Sequence, residues 1–172
     1  MADAIATVTP VEGLGMVMIR ADLTRAGNAI AEAAGLAVPE MTRITTDGSR
    51  SLGWMSPDEL LLVLPGPEIS EAISALEQAL TGEHALIADV SDARAVFDIT
   101  GPHAGDVIAK LCPADAAALP PDGLRRTRAA QTAAAFWRIE NGFRMIGFRS
   151  TADYLGLILR NAAIPGSQLA PN

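Results

Sequence analysis

Cysteine is almost missing from this chain: Cys112 stands alone among 172 residues. A single thiol excludes an internal disulfide and suits a reducing compartment, so a cytoplasmic location is expected. Cys112 closes a helix-patterned stretch and directly precedes Pro113. A helix C-terminus raises a thiol pKa rather than lowering it, so the residue reads as a small buried hydrophobe and not as a nucleophile. Histidine is equally scarce. His84 and His103 lie nineteen residues apart with no HxxxH or CxxC spacing, and a structural zinc site lacks ligands. His84 is expected to begin a strand and His103 to sit in the first turn of a helix. Aromatic residues make up 4% and the net charge is −7, a combination that argues against stacking on bases or neutralising phosphates, so no nucleic-acid partner is expected. No run approaches the roughly 18 apolar residues needed to cross a bilayer. The first basic residue is Arg20 and no secretory leader or membrane association is expected. A GxSxG elbow, a P-loop and a strand-linked GxGxxG are also missing.

What the chain has instead is apolar surface and arginine. Hydrophobic residues make up 49% and charged residues only 19%, and the mean hydropathy is +0.25. Such a balance leaves apolar surface that a partner can cover. The charge is split along the chain. Residues 1–93 carry four arginines against fourteen acids, whereas residues 94–172 carry nine bases against six acids. Twelve of the thirteen bases are arginine, whose planar guanidinium suits partly buried ion pairs at interfaces. Arg125, Arg126, Arg128, Arg138, Arg144 and Arg149 fall in one segment with Glu140 as its only acid.

The periodicities alternate between strand and helix. Met16–Ile19 is a short strand candidate, followed by a helix around residues 26–34 that stops at Gly35. Residues 42–46 and 51–55 read as strands joined through Asp47-Gly48. Ser56–Glu59 is a turn, and Leu60–Leu64 is a wholly apolar strand expected to be buried on both faces. The next helix aligns Ile69, Ala72, Ile73, Leu76 and Leu80 on one face. A strand ends in Asp89-Val90-Ser91 and another runs through residues 95–99. Gly101-Pro102 then opens a helix with Ala104, Val107, Ile108 and Leu111 inward. Ala133, Ala135, Trp137 and Ile139 alternate as in a half-buried strand, and Asn141-Gly142 turns the chain into residues 143–149. Ser150-Thr151-Ala152-Asp153 has the pattern of a capping box at the start of a last helix. These elements predict an α+β fold of mostly antiparallel sheets with helices packed on them. The expected organisation is an N-terminal arm over residues 1–38, a domain over residues 39–163 in two similar lobes (39–83 and 84–163), and a loose tail over residues 164–172.

Over roughly residues 40–160 the order of motifs resembles the gamma subunit of heterotetrameric sarcosine oxidase. The likeness is carried by Leu52-Gly53-Trp54 to Pro65, by DVSDAR, GPHA and LCPAD between Asp89 and Asp115, and by Phe136-Trp137-Arg138 through Tyr154. That family is a distant relative of the folate-binding aminomethyltransferases, which also show Asp-Val-Ser, a Gly-Pro helix start and an Asp-x-x-x-Leu, here Asp115 to Leu119. The resemblance implies a GcvT-like fold, similar to the N-terminal fold of those enzymes. It also implies a subunit of a complex that oxidatively demethylates sarcosine to glycine, releasing hydrogen peroxide and formaldehyde or 5,10-methylenetetrahydrofolate. FAD, FMN, NAD and tetrahydrofolate would then sit in the larger subunits and none in this chain. The alpha subunit would be the direct partner, with beta and delta completing the complex. Trp54, Arg125, Arg126, Arg128, Arg144 and Arg149 are the candidate contact residues, because tryptophan and arginine concentrate interface energy.

No carboxylate pair is arranged for acid–base work, and no catalytic, cofactor-binding or metal-binding residue is assigned. Asp58-Glu59 fits a turn, and Asp89 and Asp98 are read as structural, Asp89 closing a strand at a bend. The aminomethyltransferases carry their catalytic aspartate on a hairpin matching Ala129–Ala135, where this chain has alanines, Gln131 and Thr132 but no acid. Folate binding and methyl transfer are therefore not carried over. Two other readings stand beside the subunit: a stand-alone folate-binding or aminomethyltransferase-like protein, and a homo-oligomeric binding module.

Overall fold

A computed structural model describes residues 4–169. The chain divides into two compact units, one spanning Gly13–Asp92 and one formed by residues up to Glu12 together with those from Ala93 onward. The first strand, β1 (Thr7–Val11), belongs to the discontinuous unit. The Gly13–Asp92 unit then runs β2 (Leu14–Arg20), α1 (Leu23–Ala34), β3 (Ile44–Asp47), β4 (Arg50–Ser56), β5 (Glu59–Pro65), α2 (Ile69–Ala79) and β6 (Leu86–Asp89). The chain continues with β7 (Arg94–Thr100), α3 (Ala104–Leu111), β8 (Leu124–Ala129), β9 (Thr132–Ile139), β10 (Gly142–Phe148) and α4 (Ala152–Ala162). Both sheets pair antiparallel throughout, which makes the fold α+β.

In the Gly13–Asp92 unit the strand order is β3-β4-β5-β2-β6. Six of the seven residues of β5 are buried, as the unbroken apolar run requires of a strand covered on both faces. Helix α1 starts where Asp22 Oδ1 accepts the Thr24 N–H at 3.0 Å, and it stops at Gly35, whose φ of 68° is the left-handed cap that glycine adopts without strain. Its inner positions Ala26, Ile30 and Ala34 join Ala72 and Leu76 of α2 over Val17, Ile19, Leu52, Leu60 and Leu62. Each large side chain buried in this way stabilises the unit by about 1.5–3 kcal/mol.

In the other unit the order is β1-β7-β10-β9-β8. Phe97, Ile99, Phe136, Phe143 and Met145 share one core with Val107 and Ile108 of α3 and Leu155 and Leu159 of α4. Phe136 and Phe143 meet edge to face at 5.8 Å. The two units have one topology. Strand–helix–three strands–helix is followed in the first unit by β6 beside β2, and in the second the equivalent place beside β7 is filled by β1 from the other end of the chain.

Several features differ from the sequence expectation. Residues 1–38 do not form an arm: β1 pairs with β7, while β2 pairs with both β5 and β6. The short runs around Val8 and Met18 carry no local sign of these distant partners. Strands β1 and β8 were not foreseen, since Pro10 interrupts one and arginines fill the other. Of the expected loose tail, residues 164–169 are tied back. Lys110 Nζ donates to the Ala162 carbonyl at 2.7 Å and to Ser167 Oγ at 2.9 Å, and the Leu169 N–H donates to Asp106 Oδ2 at 3.1 Å. Residues 170–172 lie outside the described residues. The capping box does not form. A short 3-10 turn over Arg149–Thr151 precedes α4, and its N-cap Thr151 makes no capping side-chain bond. Instead Thr151 Oγ1 donates to the Phe148 carbonyl at 3.2 Å. Helix α3 opens at Ala104 with His103 as its N-cap, two residues later than a start at Pro102. His84 lies before β6, not in it. Among the described residues no helix is long and apolar enough to cross a membrane.

Candidate functional site

The arginine-rich segment folds into β8, β9 and β10, one end of the sheet in the discontinuous unit. Its arginines fall into two groups. Arg138 on β9 and Arg144 on β10 are spent on the fold. The Arg138 guanidinium donates to the carbonyls of Leu119 and Ala116, each at 2.8 Å, and of Ala117 at 3.3 Å. It also lies 5.1 Å from the Phe143 ring centroid, so it pins the loop between α3 and β8 onto the sheet. Arg144 faces Asp98 across β10 and β7 and binds it in a fork, Nε to Oδ1 at 2.7 Å and Nη2 to Oδ2 at 2.8 Å. The hydrogen bond to Asp98 pushes the Arg144 guanidinium pKa further up, against the opposing effect of burial.

Arg125, Arg126 and Arg128 make the second group, all exposed on the terminal strand β8. Arg149 is exposed just after β10 and lines a cavity of about 270 Å³ with Glu12, Asp153 and Arg160. Trp54 belongs to the other unit, on β4, where it is half-buried and packed against that unit's core. Of the six candidate contact residues, then, three are brought together on one strand. Arg149 is separate, Arg144 is consumed by Asp98, and Trp54 contributes to packing. What sequence reasoning missed was the strand that presents the three arginines, for which LRRTRA gives no alternating signal.

Several titratable groups elsewhere have structural partners. Asp89 Oδ1 accepts both the Ser91 N–H at 2.9 Å and the Ser91 hydroxyl at 2.6 Å, fixing the bend after β6. Asp115 Oδ1 accepts the N–H groups of Ala117 and Ala118. His103 Nδ1 lies 3.1 Å from Asp106 Oδ2. Cys112 is buried at the end of α3, and burial pushes its thiol up to about 11. A cavity of about 630 Å³ in the Gly13–Asp92 unit is lined by Arg20, Asp22, Arg25, Asp58, Glu83 and His84 among others. Four of its charges are already paired, Arg20 with Asp58 at 2.7 Å and Arg25 with Glu83 at 3.0 Å, and Asp22 caps α1. The Ser56 hydroxyl, with Arg20 behind it, holds the Asp58 carboxyl below its ordinary range. The β8–β9 hairpin turns on Ala130, at φ 50°, and Gln131, while the buried Thr132 bonds Thr151 across 3.0 Å. Among the described residues no three His, Cys, Asp or Glu side chains converge as a metal site.

This topology places the chain in the aminomethyltransferase-like class of folds. Glycine cleavage system aminomethyltransferase T from Bartonella henselae superposes with a TM-score of 0.67 at 15% identity, covering 92% of this chain and 46% of that one. Residues 20–165 match the profile of the sarcosine oxidase gamma subunit family, and the chain belongs to that family. Sarcosine oxidase subunit gamma from Corynebacterium sp. (strain P-1) is 37% identical over 90 residues, 51% of this chain and 43% of that protein. The Arthrobacter sp. subunit gamma is 35% identical over 102 residues, 58% of this chain and 49% of that one. The aligned segment thus spans less than half the length of either curated relative. A chain of the heterotetrameric sarcosine oxidase from Corynebacterium sp. U-96, in complex with pyrrole 2-carboxylate, superposes with a TM-score of 0.86 at 26% identity, over 97% of this chain and 88% of that chain.

Proposed function

We propose that this chain is the non-catalytic gamma subunit of a heterotetrameric, cytoplasmic sarcosine oxidase and serves assembly, stability or passage of the intermediate between sites. The observation that carries the reading is the match along 97% of the chain to a chain of a heterotetrameric sarcosine oxidase. In the proposed complex sarcosine would lose two electrons and two protons, one from the N–CH3 carbon and one from the nitrogen, and the resulting imine would be hydrolysed to glycine and formaldehyde or pass its methylene carbon to tetrahydrofolate. Molecular oxygen would take up those two electrons and two protons and leave as hydrogen peroxide, by flavin chemistry that the larger subunits would supply. FAD, FMN, NAD and tetrahydrofolate are assigned to the larger subunits. The β8–β9 hairpin of this chain offers no carboxylate to a folate, its cysteine is buried and neutral, and its central Asp98 is held by Arg144. The alpha subunit is the proposed direct partner, with beta and delta completing the assembly. The exposed Arg125, Arg126, Arg128 and Arg149 are the proposed contact residues, with the half-buried Trp54 and the Asp98-bound Arg144 as supports behind the surface.

The test is omission. Co-expression of the larger subunits with and without this chain, followed by size-exclusion chromatography, should give a complex that contains the chain and that fails to assemble fully without it. An identical elution profile in both cases would overturn the reading.

A further inference from the structure

Two five-stranded sheets end in four edge strands, and among the described residues the longest of them, free of proline, is β8. Strands β3 and β6 have four residues each, and β1 has Pro10 at its fourth of five positions. Short strands and proline are the usual ways in which an edge is closed to further pairing. Strand β8 has neither. It pairs with β9 on one side over six consecutive residues, Leu124 opposite Trp137 through Ala129 opposite Thr132, without a bulge. No strand lies on its other side among the described residues.

What guards this edge is charge of one sign. Arg125, Arg126 and Arg128 occupy three of its six positions, and neither β8 nor β9 contains a carboxylate. Alternation places Arg125 on one face of the sheet and Arg126 and Arg128 on the other. A strand added here would meet a guanidinium on both faces. Arg20, Arg50 and Arg144 are paired with Asp58, Glu68 and Asp98, whereas no carboxylate is paired with Arg125 or Arg128 among the described residues. Two copies of this edge would bring like charges together, so the pattern selects against self-pairing and for an acidic partner strand.

We propose that the free edge of β8 takes up an extended acidic segment of another subunit of the oxidase as a sixth strand. This rests on the gamma-subunit reading above and names the contact within it. Main-chain hydrogen bonds along β8 hold the segment, and carboxylates an odd number of positions apart, hence on opposite faces, pair with Arg125 on one face and Arg128 on the other. An association of this kind weakens with added salt.

The test compares the wild-type full chain with Arg125→Glu/Arg128→Glu, each titrated into the co-expressed larger subunits, together with amide hydrogen exchange of the chain alone and in the complex. The double variant is expected to keep the thermal midpoint of the isolated chain and to lose roughly 100-fold in affinity. Amides of β8 are expected to gain protection in the wild-type complex, and the affinity to fall as salt rises. Assembly of the double variant with wild-type affinity, or β8 amides exchanging as fast in the complex as in the free chain, overturns the edge contact while leaving the subunit reading standing. Failure of the wild-type chain to associate with those subunits overturns both.

Discussion

At the C-terminal end of α3, Cys112 is only 5% exposed, and burial pushes its thiol from 9.0 to about 11. A raised thiol pKa favours the neutral form in the folded chain, so this contribution to stability is complete below pH 9 and is lost as pH rises from there toward 11. The folded chain should therefore leave Cys112 unmodified by a thiol reagent at pH 8, and full reaction should follow only in denaturant; fast labelling of the native chain would contradict the burial. Asp98 and Arg144 make a second residue-scale prediction. Their side chains are 21% and 24% exposed and joined by two bonds, so Asp98→Ala strands a guanidinium inside the sheet. A loss of about 2 kcal/mol is expected in chemical denaturation. A double-mutant cycle with Arg144→Ala should recover part of it, and a null effect of either change would contradict the pairing. The sequence suggested a structural aspartate at position 98 but could not name its partner, 46 residues away. That partner is fixed by the register of β10 on β7, a property of the assembled sheet.

Element by element, helices were the most legible part. The face formed by Ile69, Ala72, Ile73, Leu76 and Leu80 is the face that packs in α2, because 3.6-residue periodicity is local information. The left-handed stop of α1 at Gly35 is equally local. Two of the four edge strands, β1 and β8, were the least legible. Strands β1 and β8 are each covered by a neighbour on one side only, so neither needs an apolar alternation to be stable, and partners distant in sequence decide their existence. Close backbone approach is also invisible until the sheet is built. A Cβ on Gly142, at the start of β10, would collide with the backbone carbonyl of Ile99 on β7. Gly142→Ala should cost about 3 kcal/mol, read as a lower midpoint in denaturant. Gly105, with open space around its Cβ position, is the control and should tolerate alanine far better.

For the whole molecule, the two units repeat one topology while differing in charge and in how they are closed. The Gly13–Asp92 unit is closed by its own β6, and the other borrows β1 from the N-terminus. The acidic first half and arginine-rich second half were plain in the sequence, as was the family resemblance that membership now supports. The candidate contact surface was legible only as composition. Six named residues became three arginines on one strand, because folding diverts Arg144 to Asp98 and Trp54 to a core and sets Arg149 apart, after β10. The central claim, that this chain acts as a structural subunit without chemistry of its own, is tested most directly by adding it back to larger subunits expressed without it and following sarcosine-dependent peroxide. The account predicts that the rate rises until one equivalent of chain has been added and then stays flat, with no peroxide from the chain alone. A rate indifferent to the chain, or turnover by the chain in isolation, would contradict it.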